Sequence, residues 1–130
     1  MQVRCGAYAH VAARWMPGAF IVNIDTMMTT NERNQMFMRE GATKAASMLR
    51  LLSNEHRLLA LCLLLEYGEM SVSELLEQLE LGQSALSQHL ARLRQAGLVT
   101  YRRDAQNLYY RIQDPDVVRL IAVLKNIYCP

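Results

Sequence analysis

From Met36 onward the apolar positions fall at helical spacing. Ala45, Met48, Leu49 and Leu52 recur at i, i+3, i+4 and i+7, which predicts a first helix with one buried face. Ser53-Asn54-Glu55 supplies a cap and a first-turn acid for a second helix, Glu55 to Tyr67, which Gly68 stops. Its centre, Leu58 to Leu65, is apolar nearly all round, so this helix belongs in the middle of the core. Ser71-Val72-Ser73-Glu74 has capping-box spacing and opens a third helix through about Leu79, with Leu75, Leu76 and Leu79 facing inward. A short turn around Leu81 and Gly82 leads into a fourth helix, Ser84 to Gln95. Its inward residues are Leu86, Leu90 and Leu93, and Gly97 ends it.

The period then changes. Leu98–Tyr101 and Leu108–Ile112 are rich in β-branched and aromatic residues and flank Arg102–Asn107, which predicts a hairpin. Asp114-Pro115-Asp116 opens a last helix whose stripe is Val117, Leu120, Ile121, Leu124 and Tyr128. The order helix-helix-helix-helix-strand-strand-helix is that of a winged helix-turn-helix, mainly α with a small β-hairpin. At 130 residues the chain has room for one ordinary domain with a real core. Residues 1–35 read differently. Gly6, Trp15, Pro17, Gly18 and a Thr/Asn-rich run, Thr26 to Asn34, hold no sustained period. They read as an N-terminal arm, flexible or upstream of the true start, preceding a folded domain over 36–130.

Net charge is only +2, which by itself points to no partner. Its distribution is more informative. Glu66, Glu69, Glu74, Glu77 and Glu80 lie in a stretch with no Lys or Arg, whereas Arg92, Arg94, Arg102, Arg103 and Arg111 share theirs with a single acid, Asp104. One face can thus meet phosphate while another meets solvent. On the fourth helix Gln83, Ser84, Ser87 and Gln88 lie opposite the leucines and toward the N-terminal end, with His89 bordering them. Serine allows close approach to a major groove, and glutamine can pair with an adenine edge. Arg92 and Arg94 follow where phosphates should pass, and Arg102, Arg103 and Gln106 near the hairpin tip suit phosphate or minor-groove contact. The expected partner is double-stranded DNA.

Residues from about Ala45 to Cys129 resemble the ArsR/SmtB family of small bacterial repressors. The motifs that carry the likeness are Leu52-Ser-Asn-Glu-His-Arg-Leu58, Ser71-Val-Ser-Glu-Leu75, Gln83 through Arg94, Ala96-Gly-Leu-Val99 and Ala105-Gln-Asn-Leu-Tyr-Tyr110. The resemblance implies a homodimer built on the first and last helices, binding an imperfect palindrome in an operator. Two recognition helices one DNA turn apart multiply the specificity of one. A dimer would also bury the stripe of the last helix.

Many members of that family sense metals, through a Cys-x-Cys pair near the third helix or Asp/His ligands along the last. Here Met70–Leu75 has no cysteine, the last helix has no histidine, and His10, His56 and His89 are scattered, so no metal site and no cofactor are expected. A metal-responsive repressor is the alternative within transcription. A thiol-dependent enzyme is the alternative outside it, but no Cys-x-x-Cys or Cys-His constellation supports catalysis. Alone, Cys62 in an apolar helix would be a small core hydrophobe. The pair Cys62 and Cys129 resembles the thiol- and persulfide-sensing subgroup, which carries one cysteine in the second helix and one at the end of the last. That resemblance implies a redox switch in which reactive sulfur or an oxidant bridges the two and releases DNA. Cys5 has no counterpart in that pattern.

Three widely spaced cysteines do not make a secreted disulfide scaffold. No apolar run approaches the ~18–20 residues of a membrane span, and Arg14 and Pro17 interrupt any signal-peptide core. A cytoplasmic protein with reduced thiols is expected.

Overall fold

A computed structural model describes residues 29–129; Cys5 and most of the expected arm, residues 1–28, lie outside them. The first helix begins earlier than the apolar period suggested. Thr29 and Glu32 form a capping box, with the Glu32 amide donating to Thr29 Oγ1 (3.2 Å) and the Thr29 amide donating to Glu32 Oε2 (2.9 Å). This starts α1, Thr30–Met36. The chain stays helical through a π-helical turn, Phe37–Gly41, into α2, Ala42–Leu52. The Ala42 amide reaches back to the Phe37 carbonyl, five residues away, so one extra residue is accommodated in the helix. Gly41 lies against the Phe37 ring, where a Cβ would come within 2.9 Å of it.

α3, Glu55–Tyr67, takes its N-cap from Asn54, whose Oδ1 accepts from the Arg57 amide at 3.0 Å. Ala60, Leu61, Leu63, Leu64 and Leu65 are all buried, as an all-round apolar helix requires. α4, Val72–Gln78, packs on α5, Gln83–Gln95, and both α5 and α6, Pro115–Tyr128, pack on α3. Ser71 caps α4 through the predicted box. Leu86, Leu90 and Leu93 plug α5 into the core, and Val117, Val118 and Ile121 do the same for α6.

The sheet has one strand more than the sequence led us to expect. β1, Met70–Ser71, lies on the outer side of β3, Asn107–Ile112, opposite β2, Val99–Asp104. Both pairings are antiparallel, with Met70 opposite Tyr110 and Tyr101 opposite Tyr110 on the other side. Two residues are too few to show a period of 2, which is why β1 escapes sequence reading. The β2–β3 strands run closer to the tip than predicted and leave only Ala105 and Gln106 to turn the chain, with Ala105 at φ 55°.

The end of α5 fixes where the hairpin begins. The Leu98 amide donates to the Leu93 carbonyl (2.9 Å) and the Gly97 amide to the Arg94 carbonyl (2.9 Å), a Schellman motif with Gly97 at φ 78°. Leu93 and Leu98, the two ends of the longer bond, are both buried. A Cβ at Gly97 meets no neighbour, so the cost of a side chain there is backbone strain alone. Gly97→Ala should therefore lower stability by about 1–2 kcal/mol, read as a shifted urea midpoint with an unchanged denaturant slope.

Candidate nucleic-acid interface

α4, the turn at Glu80–Gly82 and α5 form the helix-turn-helix, and β2 and β3 form the wing beside it. The N-cap of α5 is Gly82, which offers no side chain to cap the first amides of the helix. Gln83, Ser84, Ser87 and Gln88 are all exposed on the face opposite Leu86, Leu90 and Leu93. The helical period thus places the predicted groove-facing residues together. Arg92 and Arg94, both exposed, lie farther along α5 toward its C-terminal end. His89 is half-buried at its edge.

The wing arginines differ from one another. Arg102 is tied down: its Nε donates to Glu69 Oε1 (2.8 Å), its Nη2 lies 2.7 Å from the same oxygen, and its Nη1 lies 3.7 Å from Asp104. Its guanidinium also sits over the Tyr109 ring, 4.5 Å from the centroid. Glu69 responds in kind, its carboxyl held below the usual range by the bond to Arg102. Arg103 and Gln106 are exposed, and Arg103 points to the opposite side of β2 from Arg102. Arg94 leans on the wing, with Nη1 donating to the Tyr101 hydroxyl at 3.3 Å and the guanidinium 5.1 Å from that ring's centroid. Tyr101 in turn packs on Tyr110, centroids 5.4 Å apart. Recognition helix and wing are thereby joined through one aromatic pair.

Two features were not singled out from the sequence. Arg57, in the first turn of α3, is only 7 % exposed and reaches both the end of α2 and His89. Its signal was a cation in an otherwise apolar helix. The second is the surroundings of Cys62. Burial pushes its thiol pKa up, Lys125 on α6 pulls it down, and Glu66 one turn along α3 pushes it up again. Lys125 carries its Nζ enclosed, and that burial lowers its own pKa while Cys62 and Glu66 raise it.

Cys62 is a thiol, whereas Cys129, at the C-cap of α6, is disulfide-bonded, so the two are not joined to each other. This departs from the expectation of reduced thiols throughout. Cys129 follows the last turn of the helix and lies outside the apolar core that surrounds Cys62. Among the described residues no group of three or more His, Cys, Asp or Glu could hold a metal ion, and no helix is long and apolar enough to cross a membrane.

Residues 54–101, the span from the cap of α3 into β2, match the sequence profile of bacterial regulatory proteins of the arsR family. The chain is 46 % identical over 96 residues to the transcriptional activator HlyU of Vibrio cholerae, covering 74 % of this chain and 88 % of that one. This chain belongs to the arsR family. A second relative, the HTH-type transcriptional regulator YgaV of Escherichia coli, is 44 % identical over 93 residues, covering 72 % of this chain and 94 % of its own. Among solved structures, the transcriptional repressor BigR of Xylella fastidiosa superposes with a TM-score of 0.69 at 39 % identity, over 79 % of this chain and 99 % of that one. Reduced HlyU of Vibrio cholerae superposes with a TM-score of 0.67 over 72 % of this chain and 97 % of its own. The arsR-family chain is thus a DNA-binding transcriptional regulator, not an enzyme.

The unequal engagement of the wing arginines has a measurable consequence. Arg103→Ala should weaken binding to all duplex DNA and reduce the slope of log affinity against log salt by about 1. Arg102→Ala should change that slope less, because its charge is already matched by Glu69. Gln88→Ala should leave the slope alone and cost affinity at particular base pairs. Fluorescence anisotropy across a salt series separates the three.

Proposed function

We propose that the protein is a homodimeric repressor that holds operator DNA and releases it when Cys62 and Cys129 are bridged by reactive sulfur. The observation that carries the reading is the placement of the two cysteines. Cys62 lies midway along α3, packed against the core, and Cys129 ends α6, a helix that packs on α3. A bond between them would tie the central helix, which buries α5 on one side, to the last helix.

The dimer reading is supported by large apolar side chains left exposed on the first and last helices. These include Phe37 and Leu49 on one, and Ile127 (63 %) and Tyr128 (79 %) on the other. Exposed apolar side chains of this size invite a second copy. Repression is favoured by the likeness to the transcriptional repressor BigR, and thiol sensing by the likeness to HlyU, which was solved in a reduced form. A repressor acting on a bacterial operator would work in the cytoplasm.

The chemistry balances from the fully reduced chain. The Cys62 thiolate attacks a sulfane sulfur of a polysulfide, gaining one sulfur as a persulfide while the donor leaves one sulfur shorter. The Cys129 thiolate then attacks the Cys62 sulfur and expels hydrosulfide, leaving a disulfide. If both cysteines are persulfides, the same expulsion leaves a three-sulfur bridge, which spans a wider gap. A direct bridge demands Cα atoms within ~7 Å. A coupling of about 1–3 kcal/mol would change operator occupancy 5- to 150-fold.

Cys62→Ser and Cys129→Ser should each bind operator normally and fail to release on polysulfide treatment. Normal release by either variant overturns the switch. Mass spectrometry of polysulfide-treated against peroxide-treated protein should find a Cys62–Cys129 link, with extra sulfur only in the first. The pH dependence has a defined sign. Only the thiolate attacks, and burial holds the Cys62 pKa above that of a free thiol, so the rate of Cys62 modification should rise as pH climbs from neutral. Lys125→Met should displace that rise to higher pH, measured by timed alkylation.

A further inference from the structure

Arg57 is buried, yet its guanidinium is held at two places. Its Nε donates to the Leu51 carbonyl at 2.5 Å, and its Nη1 lies 3.2 Å from His89 Nδ1. A guanidinium has only donors, so His89 Nδ1 must supply the lone pair. The imidazole is then neutral with its proton on Nε2. The two ring nitrogens sit on opposite edges, so an Nδ1 turned toward buried Arg57 leaves Nε2–H on the edge facing away from it. His89 follows Gln88 directly and precedes Arg92 by three residues, at the margin of the exposed face of α5.

The charges around the ring favour this one form. Arg57 and His56 face it from α3, the His56 ring centroid being 6.1 Å away, and Arg92 faces it from α5 itself. Burial, then Arg57, His56 and Arg92 in that order, lower the pKa of His89. Protonating Nδ1 would also break the bond to Arg57.

We propose that His89 is a DNA contact held as a single tautomer, with Nε2–H aimed at an acceptor on the operator and Arg57 as the positioning residue that fixes it. The acceptor is an oxygen or nitrogen, on a phosphate or on a purine edge in the major groove. This rests on the reading of α5 as the DNA-facing helix. It adds that α5 reports the packing of α2 and α3: Arg57 spans the Leu51 carbonyl and His89, so a shift of either helix moves the donor.

Glutamine and asparagine separate the two ring nitrogens. The Gln amide nitrogen can stand where Nε2 stands, and the Asn amide nitrogen only where Nδ1 stands. Long-range proton–nitrogen correlation spectra of the full chain without DNA should show His89 protonated on Nε2 alone, and Arg57→Lys should mix the tautomers. A His89 proton on Nδ1 overturns the proposal. Selection from a random-sequence duplex pool then tests recognition, with circular dichroism as the folding control. His89→Gln should retain the wild-type consensus and affinity, while His89→Asn loses roughly ten- to a hundredfold, as for a hydrogen bond to a charged or buried partner. Loss at one base position identifies a base acceptor, and uniform loss identifies a phosphate. Wild-type affinity in His89→Asn sinks this inference and leaves the DNA reading standing. A wild-type pool with no enriched sequence sinks the DNA reading itself, while the tautomer measurement still stands.

Discussion

Everything in this domain is arranged around a helix that has no polar side to show. α3 presents leucine in almost every direction, so it is stable only when other elements cover it. α2, α5, α6 and β3 all pack on it. Each fully buried leucine is worth about 1.5–3 kcal/mol relative to exposure. Because the cover is shared, α3 also connects its neighbours mechanically. Its N-terminal turn carries Arg57, which touches α2 and the recognition helix. Its middle carries Cys62, which faces Lys125 on the last helix. The parts that would sense and the parts that read are joined to one rod.

The wing is held differently. Its buried residues, Val99 and Tyr110, lie toward the base, where Tyr110 pairs with Tyr101. Toward the tip the strands rely on backbone pairing and on the Arg102–Glu69 bridge, a partly exposed ion pair that water and salt screen. The bridge orients the wing more than it stabilises the domain. It also divides the hairpin's positive charge: Arg102 is neutralised by the acidic stretch that precedes α4, and Arg103 is left for an outside anion.

Much of this was legible in the sequence because the signals were local and repeated. The span of α3 follows from Asn54, the leucine run and Gly68, and the groove-facing set on α5 follows from the spacing of Leu86, Leu90 and Leu93. The start at Thr30 was hidden because α1 is polar, and only the Thr29–Glu32 box announces it. β1 was hidden because two residues carry no period, and because its partner, β3, lies more than thirty residues away. The roles of Arg57 and Arg102 were hidden for a related reason. A cation in a sequence looks alike whether it faces water or a carboxylate, and His89 and Glu69 are each more than thirty positions from the arginine they meet.

The π-helical turn at Phe37–Gly41 sets a phase relationship. One helical residue corresponds to about 100° of rotation, and the extra residue offsets α1 from α2 by that amount around a common axis. Removing a single residue there would restore a regular helix and swing Thr30–Met36 about a quarter-turn relative to the core, with no change in composition. Where the segment before Gly41 points is therefore a matter of counting residues, and insertion or deletion at this turn is the simplest route by which a related chain could re-aim whatever precedes its first helix.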